Sequence, residues 1–188
     1  MFHRRHVLAL PLLATPALTR DAQAQVQASS SSAYAFSFDG LNGEPIRLGD
    51  HAGKVMLVVN TASKCGFTNQ YADLQALWER NQSRGFVVIG VPSDDFNQER
   101  GSNREIAAFC QAVYGVSFPM AGKTHVTGSE AHPFYRWAAR ERPADTPRWN
   151  FHKYVVGRSG RLAGAFTSHV RPSDPRITAV IEAQLASA

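Results

Sequence analysis

The chain has 188 residues, 44% hydrophobic and 10% aromatic, enough apolar material to bury a core and too much for an intrinsically disordered chain. Its two cysteines cannot build a four-thiolate zinc site or a disulfide scaffold. The formal charge is +5, but only 19% of residues are charged and no long basic run occurs, so no nucleic-acid partner is expected.

Met1-Phe2-His3-Arg4-Arg5-His6 is a basic start, Val7 to Leu18 is apolar, and Ala22-Gln23-Ala24 has the small-x-small spacing of a cleavage site. Residues 1–24 therefore read as an export signal. Arg4-Arg5 followed by His6-Val7-Leu8 fits the twin-arginine type, with the general secretory route as the alternative. The apolar stretch contains Pro11 and Pro16 and falls short of the roughly 20 apolar residues of a spanning helix, so no stable membrane insertion is expected. Residues 25–32 read as a disordered, Ser-rich leader and 33–188 as one folded domain, periplasmic or otherwise exported.

Tyr34 to Phe38 alternates with period two, Asp39 to Gly43 supplies turn residues, and Pro45 to Leu48 resumes the alternation, which predicts an N-terminal hairpin. Val55-Met56-Leu57-Val58-Val59 is a continuous apolar run, the mark of a strand buried on both faces. Phe86 to Val91 is a second such run. Between them Tyr71, Leu74, Leu77 and Trp78 recur at helical spacing, so a parallel strand-helix-strand crossover is expected. Ser102 with Glu105 forms a capping-box signal ahead of a helix with Ile106, Phe109, Cys110 and Val113 on one face. Phe151 to Val156 and Leu162 to Phe166 form a closing hairpin, and Pro175 opens a last helix carrying Ile177, Val180, Ile181 and Leu185. The order β-β-β-α-β-α-β-β-α predicts an α/β protein: a thioredoxin-like fold with an added N-terminal β-hairpin and a central mixed sheet flanked by helices.

Cys65 lies just past the first buried strand, on the turn that feeds the first helix. The unpaired N–H groups and positive dipole of a helix N-terminus, with Lys64 alongside, favour negative charge on sulfur. Position alone leaves two readings open, a reactive thiol and a buried structural cysteine.

Three blocks break the tie: Val59 to Thr68 (Val-Asn-Thr-Ala-Ser-Lys-Cys-Gly-Phe-Thr), Gly90 to Glu99 (Gly-Val-Pro-Ser-Asp-Asp-Phe-Asn-Gln-Glu) and Trp149 to Tyr154 (Trp-Asn-Phe-His-Lys-Tyr). With Tyr114 to Pro119 as a smaller echo, the chain resembles the glutathione peroxidase family from roughly Ala33 to Leu185. The resemblance implies a catalytic tetrad of Cys65, Gln98, Trp149 and Asn150. Cys65 would attack the peroxide, while the two amides and the indole N–H donate hydrogen bonds to sulfur and oxygen where charge develops. The second block departs from the family's usual spacing. Only Asn97 separates Phe96 from Gln98, where two residues are usual, and Arg100 stands where a proline is common, so Asn97 or a backbone group could take the place of Gln98.

Phe109-Cys110-Gln111 is similar to the resolving-cysteine position of two-cysteine family members, which implies a Cys65–Cys110 disulfide in the oxidised protein. The implied reductant is a thioredoxin-like dithiol protein, with glutathione as the alternative. The short segment between Trp137 and Trp149 lacks the insertion that builds subunit contacts in oligomeric relatives, so a monomer is expected, open to bulky lipid hydroperoxides as well as hydrogen peroxide. No cofactor is implied. His51, His125, His132, His152 and His169 lack ligand spacing, so no metal site is expected. Phe166-Thr167-Ser168-His169 is a candidate for the rim of the site, without an assigned role. A relative that senses or binds rather than turns over is the alternative function.

Overall fold

The computed structural model describes residues 32–187. The expected export signal and, apart from Ser32, the leader lie outside them. The hairpin forms from Ser37–Asp39 (β1) and Pro45–Arg47 (β2), paired antiparallel. The first strand starts later than the alternation suggested. Ala33–Ala35 closes a 3-10 turn instead, capped by Ser32, whose Oγ accepts from the Tyr34 N–H at 3.2 Å. That turn lets the Tyr34 hydroxyl donate to the Arg158 carbonyl at 2.5 Å.

Val55–Thr61 (β3) and Phe86–Pro92 (β4) are buried along their whole length and pair in parallel. Gln70–Asn81 (α1) makes the crossover between them. Lys153–Val156 (β5) and Leu162–Phe166 (β6) form the closing hairpin, with β5 antiparallel to β3, giving the sheet order β4-β3-β5-β6. Phe151 was expected in β5 but stands outside it at φ 62, a left-handed backbone that cannot continue a strand. Gly90 on β4 has no side chain to obstruct Phe118 and Met120, and its backbone bonds to Pro119 and Ala121, so the 119–121 segment covers the β4 edge.

The sheet has two apolar faces. Val55, Leu57, Val59 and Val155 face a cluster with Tyr71, Leu74 and Leu77 of α1, Ile106 and Cys110 of Asn103–Tyr114 (α2), and Ile177 and Ile181 of the C-terminal helix. Met56, Val58, Tyr154 and Val156 face the other way, onto Phe38, Leu48 and a helix absent from the sequence reading, Pro133–Glu141 (α3). His132 caps α3, Pro133 occupies its first turn, and Phe134, Tyr135, Trp137 and Ala138 are buried. The last helix, Pro175–Ala186 (α4), is capped by Asp174. Ser102 and Glu105 form the expected capping box of α2. One member of the α2 stripe is corrected: Val113 is 57% exposed. The buried line runs through Ile106 and Cys110, one turn apart, and Val113 falls off its edge.

No helix among the described residues is long and apolar enough to cross a membrane.

Candidate active site

Three loops meet at one end of the sheet, where the parallel strands β3 and β4 finish and the antiparallel β5 begins. Cys65 follows β3 through Ala62, Ser63 and Lys64 and is buried, 4% exposed. The Phe67 N–H points at its sulfur, 3.4 Å away. Successive turns over residues 65–71 carry the chain into α1, which begins at Gln70.

The loop after β4 is locked to the cysteine loop by two contacts. The Lys64 N–H donates to the Gln98 carbonyl at 2.8 Å, and the Ser63 N–H donates to the Glu99 carboxylate at 3.2 Å. Glu99 also accepts from the Arg100 N–H at 2.5 Å. Burial is the largest influence on this carboxyl and holds it above the usual carboxylate range.

The shortened spacing before Gln98 is absorbed at Asn97. Its N–H closes a turn onto the Asp94 carbonyl at 2.8 Å and its backbone is left-handed at φ 56, a conformation Asn tolerates better than most residues. The Gln98 side chain therefore still reaches the third loop, where the Asn150 amide donates to its Oε1 at 3.0 Å. Asn97 itself is exposed.

Trp149 and Asn150 lie on that third loop, just ahead of β5. Asn150 is fully buried, whereas Trp149 is 41% exposed and packs its ring on Phe96, centroids 5.5 Å apart. What positions them is Asn60, the penultimate residue of β3. Its amide donates to the Trp149 carbonyl at 3.1 Å and accepts from the His152 N–H at 2.9 Å, while its own carbonyl accepts from the Phe151 N–H at 2.6 Å. One buried residue thus pins both ends of the Trp149-Asn150 segment to the strand that carries Cys65. The arrangement sets a partly exposed indole and two cross-bonded amides on loops braced against the loop of a buried thiol. That is suited to a nucleophile whose leaving and attacking atoms need hydrogen-bond donors.

A family model described as glutathione peroxidase matches residues 33–139. The chain belongs to the glutathione peroxidase family. It is 44% identical over 136 residues to the glutathione peroxidase homolog BsaA of Halalkalibacterium halodurans, covering 70% of this chain and 87% of that one. It is 42% identical over 148 residues to the hydroperoxy fatty acid reductase gpx1 of Synechocystis sp., covering 73% and 88%. Among solved structures, the apo form of Trgpx superposes with a TM-score of 0.67 at 33% identity, covering 82% of this chain and 95% of that one. A thioredoxin-family thiol:disulfide interchange protein of Chlorobium tepidum, at 17% identity and TM-score 0.61 over 80% of this chain and 93% of its own, shares the fold. The fold is thioredoxin-like and the protein is a hydroperoxide-reducing thiol peroxidase.

Cys110, the second cysteine of this glutathione peroxidase-family chain, is buried on α2 in the same apolar cluster as Cys65, and neither is in a disulfide. Burial pushes its thiol up to about 11, with the Tyr71 hydroxyl beside it. In this state it is a protonated, poor nucleophile.

Two further residues of the motif blocks, Asn60 and Lys153, lie buried beside the candidate site. The sequence signal for Asn60 was a lone amide at the end of a fully apolar run, which burial would force to find partners. Lys153 is fully buried on β5, donates to the Phe151 carbonyl at 2.6 Å, and is driven down to about 7 by burial. His152, 4% exposed, is driven down to about 4, first by burial and then by the Lys153 charge.

These two groups give stability a defined pH dependence. Between pH 6.5 and about 4 the unfolded chain binds a proton at His152 that the native ring refuses, so stability falls as pH falls through that window, by up to about 3 kcal/mol. Lys153 acts in the same sense from 10.5 down to about 7. Denaturant midpoints measured across pH 4–7 should drop toward acid, and His152→Gln should flatten the drop. An unchanged slope in the variant would exclude His152 as its source.

Proposed function

We propose that the protein reduces hydrogen peroxide and organic or lipid hydroperoxides at Cys65. The thiolate attacks the terminal peroxide oxygen, the O–O bond breaks, and the departing oxygen takes a proton to leave as water or alcohol, with Cys65 left as a sulfenic acid. Gln98, Trp149 and Asn150 supply the donors that meet the developing charge. The observation that supports this most is the Asn150–Gln98 hydrogen bond, made by loops that Lys64 and Asn60 brace against the cysteine loop.

In the second half of the cycle the Cys110 thiol attacks the sulfenic sulfur, water leaves, and a Cys65–Cys110 disulfide forms. A thioredoxin-like dithiol then reduces it, becoming a disulfide itself. Because Cys110 is a buried thiol on an intact helix, α2 opens locally to deliver it. The substrate class fits the naming of the Synechocystis relative as a hydroperoxy fatty acid reductase. The basic start, apolar stretch and small-x-small site of residues 1–24 support a periplasmic or otherwise exported location, and the short segment between Trp137 and Trp149 supports a monomer.

Stopped-flow oxidation of the reduced protein tests the reading. Hydrogen peroxide and cumene hydroperoxide should both be consumed far faster than by free cysteine, and Asn150→Ala should cost about two decades in rate, as loss of an oxyanion-type donor does. A wild-type rate equal to that of free cysteine would refute it.

A further inference from the structure

Helix α2 is lightly held for its length. Of its twelve residues only Ile106 and Cys110 are buried, whereas α1, also twelve residues long, buries six. Val113 stands in solvent, and Phe109 and Tyr114 are half-buried at the edge of the apolar cluster. A single added contact is therefore a sizeable share of what keeps Cys110 covered.

Arg100 supplies such a contact from the loop after β4. Its guanidinium lies over the Phe109 ring, 5.0 Å from the centroid, within the range of a cation–π attraction. It makes no salt bridge among the described residues, and the nearby Glu105 carboxylate is taken by the Ser102 N–H and hydroxyl. Phe109 packs edge-on against Tyr114, centroids 5.8 Å apart, and Tyr114 leans on Tyr71 of α1 at 5.4 Å. The Tyr71 hydroxyl is beside the Cys110 thiol. The backbone of Arg100 is fixed as well: its N–H donates to the buried Glu99 carboxylate, which also accepts from the Ser63 N–H, two residues before Cys65. A proline, common at this position in the family, has neither the N–H nor the cation.

Resting on the two-cysteine reading, we propose that Arg100 is a positioning residue for the resolving step: through Phe109 it holds α2 closed over Cys110 and so sets how long the Cys65 sulfenic acid survives. A sulfenic acid that waits meets a second hydroperoxide, which oxidises the sulfur to sulfinic acid and is itself reduced to alcohol or water. The contact favours a longer-lived sulfenic acid over fast resolution.

Hydrogen exchange of the α2 amides in the reduced full chain reads the opening without any peroxide. Arg100→Gln should speed exchange across residues 109–114 about three-fold, the scale of one exposed cation–π contact. Arg100→Lys keeps the cation and should stay near the unaltered protein. Exchange unchanged by Arg100→Gln, or raised equally by both substitutions, overturns the latch. In quenched-flow oxidation followed by mass spectrometry, Arg100→Gln should leave the oxidation of Cys65 unchanged, form the Cys65–Cys110 disulfide about three-fold faster and leave less sulfinic acid in excess peroxide. Phe109→Leu should do the same, and adding Arg100→Gln to it should bring no further gain. Additive gains overturn Phe109 as the partner. Faster exchange with no change in disulfide formation overturns the control of resolution by α2 opening. A protein that never forms the Cys65–Cys110 disulfide refutes the two-cysteine reading and with it the effect on sulfenic acid lifetime, while the exchange result still decides the latch.

Discussion

Replacing Cys65 by serine is expected to remove hydroperoxide reduction altogether, with the rate falling by at least about three decades. A serine hydroxyl is hardly ionised at neutral pH and lacks the polarisable sulfur that attacks a weak O–O bond, while the neighbouring donors would stay in place. Those donors cannot act alone, because they stabilise charge only when a nucleophile generates it. The fold should tolerate the change, since Cys65 contributes one small buried side chain and one contact from the Phe67 N–H. Peroxide consumption by the reduced variant, together with its denaturation midpoint, checks this. Activity retained in a folded Cys65→Ser variant would move the chemistry to another residue.

The second large effect concerns Cys110→Ser. Its first turnover should match that of the unaltered protein, because attack on peroxide needs only Cys65. Steady turnover with thioredoxin as reductant should then fall by more than about ten-fold, as the sulfenic acid has no internal thiol to form a disulfide. In excess peroxide, Cys65 should accumulate as sulfinic acid, visible by mass spectrometry. The buried setting of Cys110 explains why the effect is on the second half-reaction alone. Burial pushes its thiol up to about 11, so in the proposed cycle it would stay silent until α2 opened. Undiminished thioredoxin-driven turnover in this variant would exclude the two-cysteine cycle.

Among the described residues, the order of strands and three of the four α-helices were legible because periodicity is a property of neighbours along the chain. The continuous runs in β3 and β4 could only be interior strands, and the Ser102–Glu105 pair marked the start of α2. Helix α3 was missed. Its nine residues are too few for a convincing periodic pattern, and its stripe of Phe134, Tyr135, Trp137 and Ala138 becomes meaningful only against Met56, Val58, Tyr154 and Val156. Burial of both faces of β3 had already required a second covering layer, but nothing local said which segment supplied it.

The same division runs through the site. Cys65, Gln98, Trp149 and Asn150 were readable as motif residues in the sequence, and so was the one-residue shortening before Gln98. The left-handed turn at Asn97 that returns Gln98 to Asn150 was not readable, nor were the bonds by which Asn60 holds the third loop. Gln98 and Asn150 are 52 residues apart, and Asn60 and Trp149 are 89 apart. By itself the sequence determined the fold class, the family and the chemical candidates, because hydrophobic period, caps and motif blocks are written locally. Tertiary structure alone decided which amide meets which and how deeply Cys110 is hidden. A buried polar group must take whatever partner folding brings within reach, and that partner is set by the packing of distant loops.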